Sequence, residues 1–267
     1  MLDQKISNRI QSDYEFLKNA GHHVLGVFLQ GSQNYHLEYE GSDIDTKAIV
    51  LPGFNDFVLN KKPISTTHEF ENKEHLDIKD IRLMFDCFKK QNINFLEILF
   101  TDYFLLNPLY EDLFKPLMDN AELIAHYNNY AGVNCIAGMV FEKRKALTHR
   151  YEGLADKIDK YGMDPKQLHH ILRCREFLER FCSGVSYKSC LLPTNPEYLI
   201  EVKRNPLLYT LDEAIALADE KVEETKQIKE KYMNENPVII NETARELLDT
   251  TLCKILKRRF QVELLKC

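Results

Sequence analysis

The apolar positions of this chain change their period near the middle. In the first third, Ile6, Ile10, Tyr14 and Leu17 recur at helical spacing, so an opening helix is expected over residues 4–20, packed on a sheet. VLGVFLQ (Val24 to Gln30) is apolar and rich in β-branched and aromatic residues, and reads as a buried strand. TKAIVLP (Thr46 to Pro52) repeats that character and stops at a proline. Leu76-Asp77-Ile78 alternates apolar and acidic, as a half-buried strand does. Strands are therefore expected at 23–30, 43–51 and 75–79. Ile81, Met84, Phe85 and Phe88 follow at helical spacing, with Asp80 as the expected N-cap. Asn92 to Pro108 is expected to close the first domain with a helix or strand and a turn.

Beyond residue 120 the pattern is helical. Leu248, Leu252, Ile255 and Leu256 share one helix face. Thr210 and Glu213 form a capping box for a helix whose polar second half reads as a solvated, projecting arm. Asp164 and Pro165 read as an N-cap and first-turn proline. Leu191 to Pro206 holds three prolines and is expected to be the most irregular stretch. The chain is accordingly of the α+β class. A small mixed β-sheet domain flanked by helices is expected over 1–120, and a mainly helical region over 121–267.

Composition adds limits. Hydrophobic residues at 44% and charged residues at 28% are those of a globular protein with a sizeable core. No apolar run approaches the roughly 20 residues that span a bilayer. The start lacks the apolar stretch of a signal peptide, so a cytoplasmic location is expected. Seven scattered cysteines, Cys182, Cys190 and Cys267 among them, read as reduced thiols. The net charge of −6 argues against broad nonspecific nucleic-acid binding, though not against a local basic groove.

The chemistry concentrates in GSQNYHLEYEGSDIDTK (Gly31 to Lys47). On a strand, Asp43 and Asp45 would point to one face, where like charges repel unless a cation lies between them. Gly31 permits close backbone approach to a ligand. Ser32 offers a hydroxyl, and the start of a short helix behind it offers unpaired N–H groups for an anion. Hard carboxylate oxygens suit Mg²⁺, which takes further oxygens from substrate phosphates.

Gly31-Ser32 followed by Ser42-Asp43-Ile44-Asp45 resembles the signature of the DNA polymerase beta-type nucleotidyltransferase superfamily. That resemblance calls for a third carboxylate on a later strand. Asp77 fits best; Asp80 reads as a cap, and Asp56 lies in a loop. From about residue 20 to 220 the chain is similar to a branch of predicted nucleotidyltransferases of bacteria and phages, partly associated with RNA repair. The resemblance implies transfer of an NMP from an NTP, ATP among them, to an acceptor hydroxyl on an RNA end, a protein or a small molecule. It implies Mg²⁺ or Mn²⁺ held by Asp43, Asp45 and Asp77, with Asp77 orienting or deprotonating the acceptor. Gly31 and Ser32 would hold phosphates, and Lys47 could face the same cleft. Lys166, His170 and Arg173 fall at i, i+4 and i+7, on one face. That stripe is either a solvated basic face or a triphosphate contact reaching the sheet, and the resemblance favours the contact. The alternatives are a non-catalytic nucleotide sensor and, third, an Asp-x-Asp glycosyltransferase. No membrane partner is expected; the acceptor, the preferred NTP and the oligomeric state are open.

Overall fold

The computed structural model describes residues 2–150, 153 and 155–265; Cys267 lies outside them. The chain forms two compact units. The first comprises residues up to Asn34, Glu40–Asn128 and the chain from Ile240 onward; the second comprises Tyr35–Tyr39 and Asn129–Ile239. The helical region expected from 121 to 267 is thus divided between them.

The first unit opens with α1 (Leu2–Asn19) and β1 (His23–Gln30), then a 3₁₀ turn begins at Ser32. β2 (Asp45–Leu51), α2 (Phe54–Val58), β3 (Ser65–Glu69), β4 (His75–Asp80) and α3 (Ile81–Lys89) follow, then α4 (Ile93–Leu96), β5 (Phe104–Leu106), α5 (Glu111–Asp119) and α6 (Ala121–Ala125). The sheet is mixed, in the order β3-β4-β2-β1-β5; β2 and β4 run parallel and the other pairs antiparallel. β3 has no counterpart in the hydrophobic pattern. Its residues STTHE include none that is buried, so it carries no alternation to read.

The two faces of the sheet differ in chemistry. Val27 and Leu29 of β1, Ala48 and Val50 of β2, and Leu76 and Ile78 of β4 pack against Ile6, Ile10 and Leu17 of α1 in one buried cluster. Because side chains alternate along a strand, Asp45 and Lys47 of β2 and Asp77 and Lys79 of β4 point to the other face. α3 packs against β2 and β4, burying Met84, Phe85 and Phe88. Gly26 marks a register shift where β5 comes close; a Cβ there would sit 2.8 Å from Leu106 Cδ2. Asp80 caps α3 as expected, accepting from the Arg82 amide at 2.9 Å.

The last helix of the chain, α13 (Glu242–Leu264), belongs to this unit. It buries Leu248 and Ile255 and packs on α3, α5 and α6. Arg258 pairs with Asp112 of α5, and Lys89 of α3 pairs with Asp249.

The second unit holds α7 (Asn129–Ala146), α8 (Ala155–Tyr161), α9 (Pro165–Cys182), α10 (Tyr187–Leu191), α11 (Pro196–Arg204) and α12 (Leu211–Glu235). α9 is its centre, packed by α7, α10, α11 and α12. Asp164 caps α9 through the Lys166 amide, and the Thr210–Glu213 capping box opens α12. The proline-rich stretch contains the regular helix α11, because Asn195 and Pro196 act as N-cap and first residue rather than as breakers. The second half of α12 is not a free arm: Thr225 is fully buried, and Glu224 pairs with Arg175 of α9 at 2.5 Å. Among the described residues the six cysteines are free thiols, and no helix is long and apolar enough to cross a membrane.

Candidate functional site

The sheet brings several of the expected residues to one end. β1 ends at Gln30, which is the antiparallel partner of Asp45, the first residue of β2. The turn at Gly31-Ser32 therefore leaves the sheet beside the start of β2. β4 runs parallel to β2 and begins at His75, so its first residues lie at the same end. Lys47 and Asp77 are direct partners across β2 and β4. Asp45 and Asp77 thus share one face of adjacent strands, displaced by two residues along the register.

Gly31 has φ +92°, in the left-handed region that glycine adopts without strain. A Cβ there would meet nothing within 4 Å. Backbone conformation, not close packing, is therefore what calls for glycine.

Asp43 stands differently from its expectation. β2 begins at Asp45, so Asp43 precedes the strand and its side chain is exposed. The strand alternation that would align it with Asp45 does not reach it. Backbone groups that a strand neighbour would take are instead taken by side chains. Gln33 Nε2 donates to the Asp43 carbonyl at 2.6 Å, and the Ile44 amide donates to Glu74 Oε1 at 3.2 Å. Asp45 Oδ1 accepts from the His75 amide at 2.8 Å, with His75 Nδ1 at 3.4 Å.

Lys47 is 2% exposed, inside the face it was expected to share with the carboxylates. Its Nζ lies 3.7 Å from Asp77 Oδ2, donates to the Asn94 carbonyl and sits 4.0 Å from the centre of the Phe95 ring. Burial pulls its pKa down to about 8; the Asp77 carboxylate opposes the shift, and Lys79 adds to it. Lys47 is still protonated at neutral pH. It serves as the internal counter-charge of Asp77.

The opposite face of the sheet carries a polar network that the sequence did not disclose. Asp13 of α1, 1% exposed, accepts from Thr46 Oγ1 and from Arg9 Nε. Arg9 also pairs with Glu74 and stacks 4.4 Å from the Phe70 ring centre. Burial raises the Asp13 pKa, against the opposing pull of Thr46 and Arg9. Glu74, Arg9 and Asp13 bear on residues 44 and 46, on either side of Asp45. No spacing rule links residues 9, 13, 46 and 74. The only local hint was that Arg9 and Asp13 are four apart on a helix.

Lys166, His170 and Arg173 all belong to α9 in the helical unit. Lys166 is exposed, His170 and Arg173 half-buried. The Arg173 guanidinium stacks 3.7 Å from the ring centre of Tyr35. His170 is held well below the usual imidazole range by burial and by the neighbouring His169, Arg173 and Lys166. The stripe therefore carries two cations at neutral pH and a neutral imidazole between them.

The donor set suits a hard divalent cation in kind, since carboxylates are the ligands Mg²⁺ takes. Among the described residues, no group of three or more His, Cys, Asp or Glu side chains is gathered to hold a metal ion. Mg²⁺ commonly binds through one or two protein carboxylates and completes its shell with waters and substrate phosphates. Asp45 and Asp77 lie on one face of neighbouring strands.

No family model matches this sequence, and no curated protein sequence matches it. Among solved structures the chain is similar to a nucleotidyltransferase-like protein from Exiguobacterium sibiricum 255-15. The TM-score is 0.31 and the identity 11%, over 97% of this chain and 81% of that one.

Proposed function

We infer that the chain is a metal-dependent nucleotidyltransferase, moving an NMP from an NTP to an acceptor hydroxyl with release of pyrophosphate. One observation carries the reading. Asp45 and Asp77 share a face of adjacent parallel strands, at the sheet end where the Gly31-Ser32 turn leaves β1. Asp45 and Asp77, joined by Asp43, would hold Mg²⁺ or Mn²⁺. When bound, such an ion lowers the pKa of an attacking hydroxyl and offsets phosphate charge.

The residues themselves have separable roles. The Ser32 hydroxyl and the amides after Gly31 offer donors to phosphate oxygens. Asp77, on the strand beside Asp45, orients the acceptor hydroxyl. Lys47 holds the charge of Asp77 in check from within the sheet.

The test is direct. The protein is incubated with each α-labelled NTP, Mg²⁺ or Mn²⁺, and separate pools of RNA, protein and small metabolites. One pool is expected to become labelled, and Asp45→Asn and Asp77→Asn are each expected to abolish the labelling. Label transfer by Asp45→Asn at the wild-type rate would refute the reading.

A second reading is favoured by the exposure of Asp43 and by the existing pairing of Asp77 with Lys47. In it the chain binds nucleotide without turnover. Metal-dependent NTP binding with no labelled pool would select that reading.

A further inference from the structure

The Asp43-Ile44-Asp45 segment is held at three consecutive residues by groups outside it. Gln33 donates to the carbonyl of Asp43, Glu74 accepts from the amide of Ile44, and the His75 amide donates to the carboxylate of Asp45. Glu74 is itself fixed by Arg9, whose Nε is bound by the buried Asp13. Gln33 is 8% exposed, and its carboxamide has one evident task, the Asp43 carbonyl, since its Oε1 has no partner. Two side chains from outside the segment therefore hold the backbone between two carboxylates.

We propose that Glu74 and Gln33 are positioning residues for Asp43 and Asp45, aiming both carboxylates at one cation. The inference rests on the reading of these aspartates as metal ligands. It adds a way to aim the two carboxylates together, which the strand itself does not supply because β2 starts only at Asp45. Without the Glu74 acceptor the Ile44 amide is free to turn, and the two carboxylates separate. Groups that orient ligands in this way typically change metal affinity by about 10–100-fold when removed.

Mn²⁺ uptake by the full chain, followed by electron paramagnetic resonance without nucleotide, tests the proposal apart from catalysis. Glu74→Ala and Gln33→Met are each expected to weaken Mn²⁺ binding by about tenfold or more. Glu74→Gln retains an acceptor oxygen for the Ile44 amide and is expected to bind Mn²⁺ within about threefold of wild type, below that range. A purely structural role would instead track the melting temperature, measured on the same samples. If Glu74→Ala fails to fold, Gln33→Met decides. Wild-type affinity in the folded variants would overturn the proposal and leave the metal reading standing. Glu74→Gln binding as weakly as Glu74→Ala would also overturn it, because the Arg9 pair and not the Ile44 bond would then matter. A wild-type protein that takes up no Mn²⁺ would overturn the metal reading, and the positioning role with it.

Discussion

At the scale of single residues, the two strand aspartates are not equivalent. Asp45 is half-buried and its contacts are an amide and an imidazole. An asparagine oxygen can accept from the same His75 amide, so Asp45→Asn is expected to leave stability unchanged within about 0.5 kcal/mol. Asp77 faces the buried ammonium of Lys47. Asp77→Asn leaves that charge facing a neutral amide, the Asn94 carbonyl and an aromatic ring, with no counter-ion, a loss of about 1–3 kcal/mol. Urea denaturation of the two variants side by side checks the difference; equal midpoints would remove Lys47 as a counter-charge. The strand positions of Asp45 and Asp77 were legible in the sequence because strand alternation is local, while the search for a carboxylate beyond the Asp-x-Asp pair came from the family resemblance. Asp43 was placed on the strand by extending that same alternation two residues too far. Ahead of the strand the backbone of residues 43 and 44 is bonded by Gln33 and Glu74, 10 and 30 residues away from their partners, and no local pattern encodes those bonds.

At the scale of elements, the caps were the most readable feature. Asp80, Asp164 and Thr210 each bond a backbone amide two or three residues on, so the signal is complete within four residues. Tertiary locks between helices were not readable, and one of them makes the helical unit sensitive to acid. His169 of α9 is 3% exposed, and its Nδ1 meets the Leu199 carbonyl of α11 at 2.8 Å. Burial, aided by the charges of Arg173, Lys203 and Lys166, drives its pKa down to about 4 despite that hydrogen bond. Unfolded, the ring titrates near 6.5, so between pH 6.5 and 4 the unfolded chain binds more protons than the folded one. Stability then rises with pH across that window and is lost as pH falls through it, by about 3 kcal/mol. His170 shifts in the same direction and adds to the loss. Thermal melts of wild type and His169→Asn at pH 7 and pH 4.5 check this. The variant is expected to lose markedly less on acidification; parallel losses would refute the assignment.

At the scale of the whole molecule, the chain leaves its first unit at Asn128 and returns to it at Ile240. The hydrophobic stripe of α13 was visible in the sequence, since Leu248 and Ile255 lie at helical spacing. Its destination was not, because a stripe says that a face is buried and not against what. Both side chains are fully buried, and α13 packs on α3 and α5. Leu248→Ala is expected to cost about 2–5 kcal/mol. Hydrogen exchange is expected to rise in peptides from residues 75–128, with those from 129–239 less affected. The opposite distribution would place α13 with the wrong partner.

The return of α13 also sets an order of events on the ribosome. Residues 129–239 must all be made before the helix that completes the sheet unit exists, a delay of roughly 5–20 s at ordinary rates of synthesis. Throughout that interval the faces of α3 and α5 that α13 will cover are open to water. The sheet unit, which carries Asp45 and Asp77, therefore keeps those two helix faces uncovered until α13 is made.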